Sequence, residues 1–138
     1  MTSAKQKTIK EKLDLLDEVI DKLKQCAAVP KEDFIADFLV SDAALHNLVL
    51  GIEIIVDIGN HILSEAFHVG ADSYKETIEK LGETGVVPRD FAKKNADMAK
   101  FRNLIIHAYG EIDMKQVYQN LQKAPDIFRK FAEYFSDF

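Results

Sequence analysis

Polar and apolar positions follow a helical period almost everywhere, and no stretch sustains Val, Ile, Thr or Tyr at every second position. Ile9, Leu13, Leu16, Ile20 and Leu23 recur at three- and four-residue steps, opposite a face of Lys, Asp and Glu. This predicts an amphipathic helix with one buried stripe, capped by Thr2 or Ser3, running to about Ala28 and ended by Pro30. KEDFIADFL, residues 31–39, forms a short helical piece or connector. Ser41 then caps a second long helix reaching about Phe67, ~40 Å at ~1.5 Å per residue. Its Leu45, Leu48, Val49, Ile52, Ile55, Val56, Ile62 and Leu63 cover most of the circumference, the mark of a helix at the centre of its bundle.

Gly70 closes that segment, and Asp72 opens a third helix over DSYKETIEKLGE. LGETGVVP reads as a loop, and Pro88 favours the first turn of a fourth helix. Phe91, Met98, Phe101, Leu104 and Ile105 continue it, with Gly110 at its C-terminal cap or just past it. Asp113 caps a fifth helix to about Lys123; Pro125 kinks or restarts it, and IFRKFAEYF closes the chain with an aromatic stripe. Short loops between long helices make antiparallel neighbours. The expectation is an all-α antiparallel bundle of four to five helices, with residues 1–138 as one domain.

Composition narrows the function. The single cysteine, Cys26, cannot form an internal disulfide, suits a reducing compartment and reads as a small packed hydrophobe. A net charge of −5 argues against broad, charge-driven nucleic-acid binding but leaves room for a local basic site. The N-terminus is charged and lacks an apolar signal core. The longest apolar run, LVLGIEIIVDIG, is interrupted by Glu53 and Asp57. No membrane span is expected, and the inference is a soluble cytoplasmic protein.

Two features stand out from the helical background. On the second long helix His46, Glu53, Asp57, Asn60, His61, Ser64 and His68 form one polar stripe. It is either a solvent-facing edge or the lining of a cleft or subunit interface, with Asp57, Asn60 and His61 as its candidate lining residues. The second feature is RNLIIHAYG, residues 102–110. On one regular helix Arg89, Lys93, Lys100, Asn103 and His107 share about a quarter-turn sector. Arg102 and His107, five apart, diverge by about 140°. To act on one anion they need either a helix loosened near its end, which Gly110 permits, or a second copy supplying the partner group. Plainer roles exist for each: Arg102 in a surface ion pair, His107 resting on the helix dipole, Tyr109 covering the core edge. A metal site is not expected, since the one Glu-x-x-His, EAFH at 65–68, lacks the second copy and further glutamates of a di-iron bundle. Zinc patterns, Gly-rich phosphate loops and a G-x-S-x-G elbow are absent.

RNLIIHAY matches the pattern R-x-x-x-x-H-x-Y, and here the sequence resembles the HepT-type ribonucleases of the HEPN class, toxin halves of prokaryotic HepT–MntA toxin–antitoxin pairs. The likeness spans almost the whole chain: DAALHNLVLGIEIIVDIGNHIL resembles the central helix of that family. SYKETIEKLGETGVVPRDFAKKNADMAKFRNLIIHAY resembles the helix–loop–helix leading into the motif, and GEIDMKQVYQNLQKAPDIFRKFAEYF its closing helices. The resemblance implies a HEPN-like fold, a homodimer whose two motifs meet in one cleft, and a metal-independent endoribonuclease without cofactor. It implies that Arg102 stabilises charge on the scissile phosphate, that His107 is the general acid or base, and that Asn103 helps position substrate. It implies that Tyr109 is the tyrosine an MntA-type nucleotidyltransferase antitoxin modifies with AMP.

The residue types suit that chemistry. RNA can be cleaved by its own 2′-hydroxyl; histidine titrates near neutrality and can carry the proton; arginine's charged fork matches phosphate oxygens. DNA, lacking that hydroxyl, is not a substrate. Arg89, Lys93 and Lys100 would draw RNA locally, and AMP on Tyr109 would sit near Arg102. The rival reading is a non-catalytic helical partner that binds a nucleotide or a nucleotidyltransferase, which the acidic total charge favours mildly; a bundle that merely dimerises is a third.

Overall fold

The computed structural model describes residues 4–138, with side chains from residue 7 onward; the expected Thr2 or Ser3 cap lies outside them. Among the described residues the elements are α1 (Ala4–Ala27), α2 (Lys31–Ala36), α3 (Phe38–Phe67), α4 (Tyr74–Glu83), α5 (Arg89–Asn95), α6 (Met98–His107), a 3₁₀ turn (Tyr109–Glu111) and α7 (Met114–Asp137). The architecture is the expected all-α bundle, with α3 at its centre and α1, α7, α4 and α6 packed around it.

α3 is long and apolar enough, by length and composition, to cross a membrane, which the charges of Glu53 and Asp57 had argued against. Its packing accounts for the composition: Leu45, Leu48, Ile52, Ile55, Ile58 and Leu63 are buried among the neighbouring helices, so the apolar circumference is spent on the bundle core. Gly51 lets α7 close in, because a Cβ there would run into the Phe128 ring. At Gly82 a Cβ would meet the Ala92 Cβ at 2.5 Å, so α5 crosses α4 at a distance only glycine allows.

Several boundaries differ from expectation for identifiable reasons. α3 starts three residues before Ser41, because Asp37 is the N-cap, its carboxylate accepting from Leu39 N–H. α3 ends on His68 in a left-handed conformation, φ 55°, before Gly70 is reached. Ser73, one residue after Asp72, caps α4 by accepting from Glu76 N–H at 3.1 Å. Asp113 caps α7 as expected, but α7 runs unbroken through Pro125. Pro125 lies on the buried stripe with Leu121, Phe128 and Phe131. Packing of that stripe outweighs the lost backbone hydrogen bond. α7 also finishes α1: the Tyr118 hydroxyl donates to the Val29 carbonyl at 2.7 Å and the Gln122 amide to that of Ala27 at 3.1 Å.

The expected fourth helix is two helices. Buried Asn95 turns its amide back onto the Phe91 carbonyl at 2.9 Å, a side-chain bond that competes with the backbone ladder. The chain turns at Ala96–Asp97 before α6 begins. α6 stops at His107; Ala108 leaves the helical region at φ −133°, ψ 40°. Gly110 falls inside the following 3₁₀ turn, two residues past the cap, so it is not itself the cap.

Candidate functional site

α6 lies against α3 and α4, and the polar stripe of α3 is what it meets. Arg102 Nη2 donates to Glu53 Oε1 at 2.8 Å. Its Nη1 donates to Asn103 Oδ1 at 3.1 Å, and the guanidinium plane rests 4.6 Å from the Tyr74 ring centroid. Nε is buried with no partner. With 19% of its side chain exposed, Arg102 is clamped rather than waving in solvent: a carboxylate, an amide and an aromatic face fix its plane. The ion-pair role weighed from sequence is therefore real, but the pair joins two helices. Asn103 contributes by orienting the arginine.

His107 is the last residue of α6, exposed, with no side-chain hydrogen bond among the described residues. Tyr109, in the turn that follows α6, is 54% exposed. Its hydroxyl donates to Asp42 Oδ1 at 2.7 Å. This hydrogen bond to a carboxylate, with smaller contributions from desolvation and the Asp42 charge, pushes the phenol above its ordinary pKa. Leu45, His46, Val49 and Ile105 complete an open cavity of about 330 Å³ beside the ring.

Arg102 and Tyr109 thus face the same helix, each on its own carboxylate. Those carboxylates, Asp42 and Glu53, are eleven residues apart on α3, ~16 Å along its axis. The two contacts therefore fall at different levels of α3. The helix break corrects the single sector expected for Arg89, Lys93, Lys100, Asn103 and His107. Arg89 and Lys93 are exposed on α5, while Lys100 and His107 remain on one stripe of α6. Lys100 sits 3.7 Å from Asp97.

The three stripe residues expected to line a cleft do not reach the motif. Asp57 pairs with Lys12 of α1 at 2.6 Å. Asn60 Oδ1 accepts from the Thr77 hydroxyl of α4 at 2.8 Å. His61 lines a separate cavity with Ile9, Leu13 and Phe135. Asp57 and Asn60 tie neighbouring helices to α3. Sequence reasoning passed over Asp42, Glu53 and Tyr74 as partners of the motif. The legible signal was the eleven-residue step from Asp42 to Glu53, which returns to the same helix face. Among the described residues no three His, Cys, Asp or Glu side chains are grouped to hold a metal. Cys26 is buried, and burial pushes its thiol up.

A family model described as Ribonuclease HepT-like matches residues 16–135. A tRNA nuclease HepT of Aphanizomenon flos-aquae is 27% identical over 138 residues, covering 97% of this chain and 94% of its own. An mRNA nuclease HepT of Shewanella oneidensis is 24% identical over 100 residues, 72% of this chain and 75% of its own. Among solved structures, a tri-AMPylated Shewanella oneidensis HEPN toxin in complex with MNT antitoxin superposes with a TM-score of 0.87 at 20% identity, over 99% of this chain and all of that one.

Proposed function

Because the chain belongs to the ribonuclease HepT-like family, we propose that it is an endoribonuclease, the toxin of a toxin–antitoxin pair, and that it cleaves RNA in the cytoplasm without a metal. The observation that carries the reading is the division of labour on α6: Arg102 is held rigid and charged, while His107 stands exposed and unengaged at the helix end. In the proposed reaction an imidazole takes the proton of the 2′-hydroxyl, which attacks the adjacent phosphorus. The 5′-oxygen leaves with a proton from an acid, and a 2′,3′-cyclic phosphate remains. Arg102 neutralises the charge gathering on the phosphoryl oxygens.

The two groups leave α6 about 140° apart. A second copy is what brings them to one phosphate, so the active form in this reading is a homodimer with α6 of each subunit at the shared cleft. Arg89, Lys93 and Lys100 supply local attraction to RNA. Tyr109 is the site at which an MNT-type nucleotidyltransferase antitoxin transfers AMP. Its exposed side chain and the AMPylated HEPN toxin of the same fold support that assignment.

A second reading has its own support: Arg102 already has a carboxylate partner in Glu53, as it would in a non-catalytic protein that only binds the nucleotidyltransferase. The test is incubation of single-stranded RNA in EDTA with wild type, Arg102→Ala and His107→Ala, beside a DNA of the same sequence. The expected result is RNA cleavage by wild type alone and an intact DNA. Equal inertness of all three proteins would favour the non-catalytic partner.

A further inference from the structure

Beside the motif, a cavity of about 420 Å³ lies between α6 and α7, within the size range of small-ligand pockets. Its floor is apolar, formed by Phe101, Ile127 and Phe128. Its rim carries Lys94 from α5, Lys100 from α6 and Lys123 from α7, with one acid, Asp97. Asp97 is already shared between Lys75 and Lys100 at 3.7 Å each, while Lys94 and Lys123 have no ion pair among the described residues. The Asn120 side chain, half-buried in the wall, has no hydrogen-bond partner there either. An aromatic-containing floor, a free amide and three cations match one nucleotide. A base would lie on such a floor with its edge toward the amide and its phosphates toward the lysines.

Position decides which nucleotide. Lys100 and Leu104, which line the cavity, continue at helical spacing into His107 on the same stripe of α6. Lys100 to His107 is ~10 Å along the axis, about three nucleotides of a stacked strand at ~3.4 Å each. We propose that the α6–α7 cavity is a subsite for a nucleotide of single-stranded RNA about three positions along the strand from the bond placed at His107. Lys94, Lys100 and Lys123 hold its phosphates and Asn120 contacts its base. This rests on the ribonuclease reading and adds to it where the substrate strand runs.

The test uses Lys94→Glu/Lys123→Glu, two exposed and unpaired positions off the motif helix. Binding of a fluorescein-labelled ten-nucleotide RNA is measured by anisotropy in a His107→Ala background, which removes cleavage. The double charge reversal is expected to raise Kd about tenfold or more and to flatten the dependence of log K on log salt by about 1.4. With His107 restored, kcat/KM on the ten-mer is expected to fall in proportion, while a dinucleotide, too short to reach the cavity, is cut as by wild type. Photocrosslinking of the same RNA carrying 4-thiouridine to the unsubstituted lysine protein is expected to label a peptide within 116–128, a readout independent of how the variant folds. Unchanged binding and no such crosslink would overturn the subsite while leaving the ribonuclease reading intact. RNA held in the cavity by a wild type that never cleaves would do the reverse. Loss of nucleotidyltransferase association with RNA binding unchanged would make the cavity a protein interface and also overturn the proposal.

Discussion

Removing Glu53 should show how firmly α3 holds the motif arginine. In Glu53→Ala, Arg102 Nη2 loses its carboxylate, and Nε is already without a partner. A hydrogen bond to a charged group contributes roughly 1.5–3 kcal/mol. Glu53 is 38% exposed, so solvent screening reduces this, and the expected cost is about 1–2 kcal/mol. For a domain of this length that is a fall in Tm of about 3–8 °C. Arg102→Ala should cost a similar amount, since it also strips the guanidinium from Tyr74. If the two side chains act through one another, Glu53→Ala/Arg102→Ala should be less destabilised than the sum by about 1 kcal/mol. The assay is urea unfolding of the four proteins at one fixed protein concentration, because dimerisation would otherwise shift the midpoints. The same variants report on function: a guanidinium freed to swing should lower kcat more than it changes KM. A coupling below about 0.3 kcal/mol would fall within ordinary additivity, and Arg102 would not be preorganised by α3.

Asp42→Asn removes the acceptor charge that holds the Tyr109 proton; the phenolate absorbance of Tyr109 should then appear at lower pH than in wild type, with Tyr109→Phe identifying the band. The sign follows from the raised pKa: any stability from the Asp42 contact is fully present below the unfolded tyrosine pKa and is lost as pH rises through the folded one. A titration of the band unchanged in the variant would refute the contact. Gly51→Ala places a methyl against the buried Phe128 ring and should destabilise by about 1–3 kcal/mol through overpacking; a wild-type melting curve would contradict the close approach of α7. Cys26, buried with its thiol pushed up, should react with a disulfide reagent at pH 8 far more slowly in the folded protein than in urea, and equal rates would refute its burial.

Much of the bundle is legible in the residues because burial repeats with the helical period. The central place of α3, the start of α7 at Asp113 and the antiparallel arrangement all follow from stripes and caps that act within a few residues. The RNLIIHAY run and its family likeness were equally readable, since a motif on one helix is local. No restart occurs at Pro125 because its local penalty is opposed by packing with α1 and α3, which no window of sequence contains. The break at Ala96 was missed because a buried asparagine bonding its own backbone looks like any surface asparagine.

What the chain alone determined is therefore the helical class, the buried stripes and the identity of the motif residues, all governed by interactions between near neighbours. Only the tertiary structure decided what those residues touch. Arg102 meets Glu53 and Tyr74, 49 and 28 positions away, and Tyr109 meets Asp42, 67 positions away. The stripe members Asp57, Asn60 and His61 are turned to other helices or another cavity. The physical reason is that a helix sets which side chains share a face, while the packing of whole helices sets which faces meet. That second choice is made by summed apolar burial over the entire bundle rather than by any residue in the site.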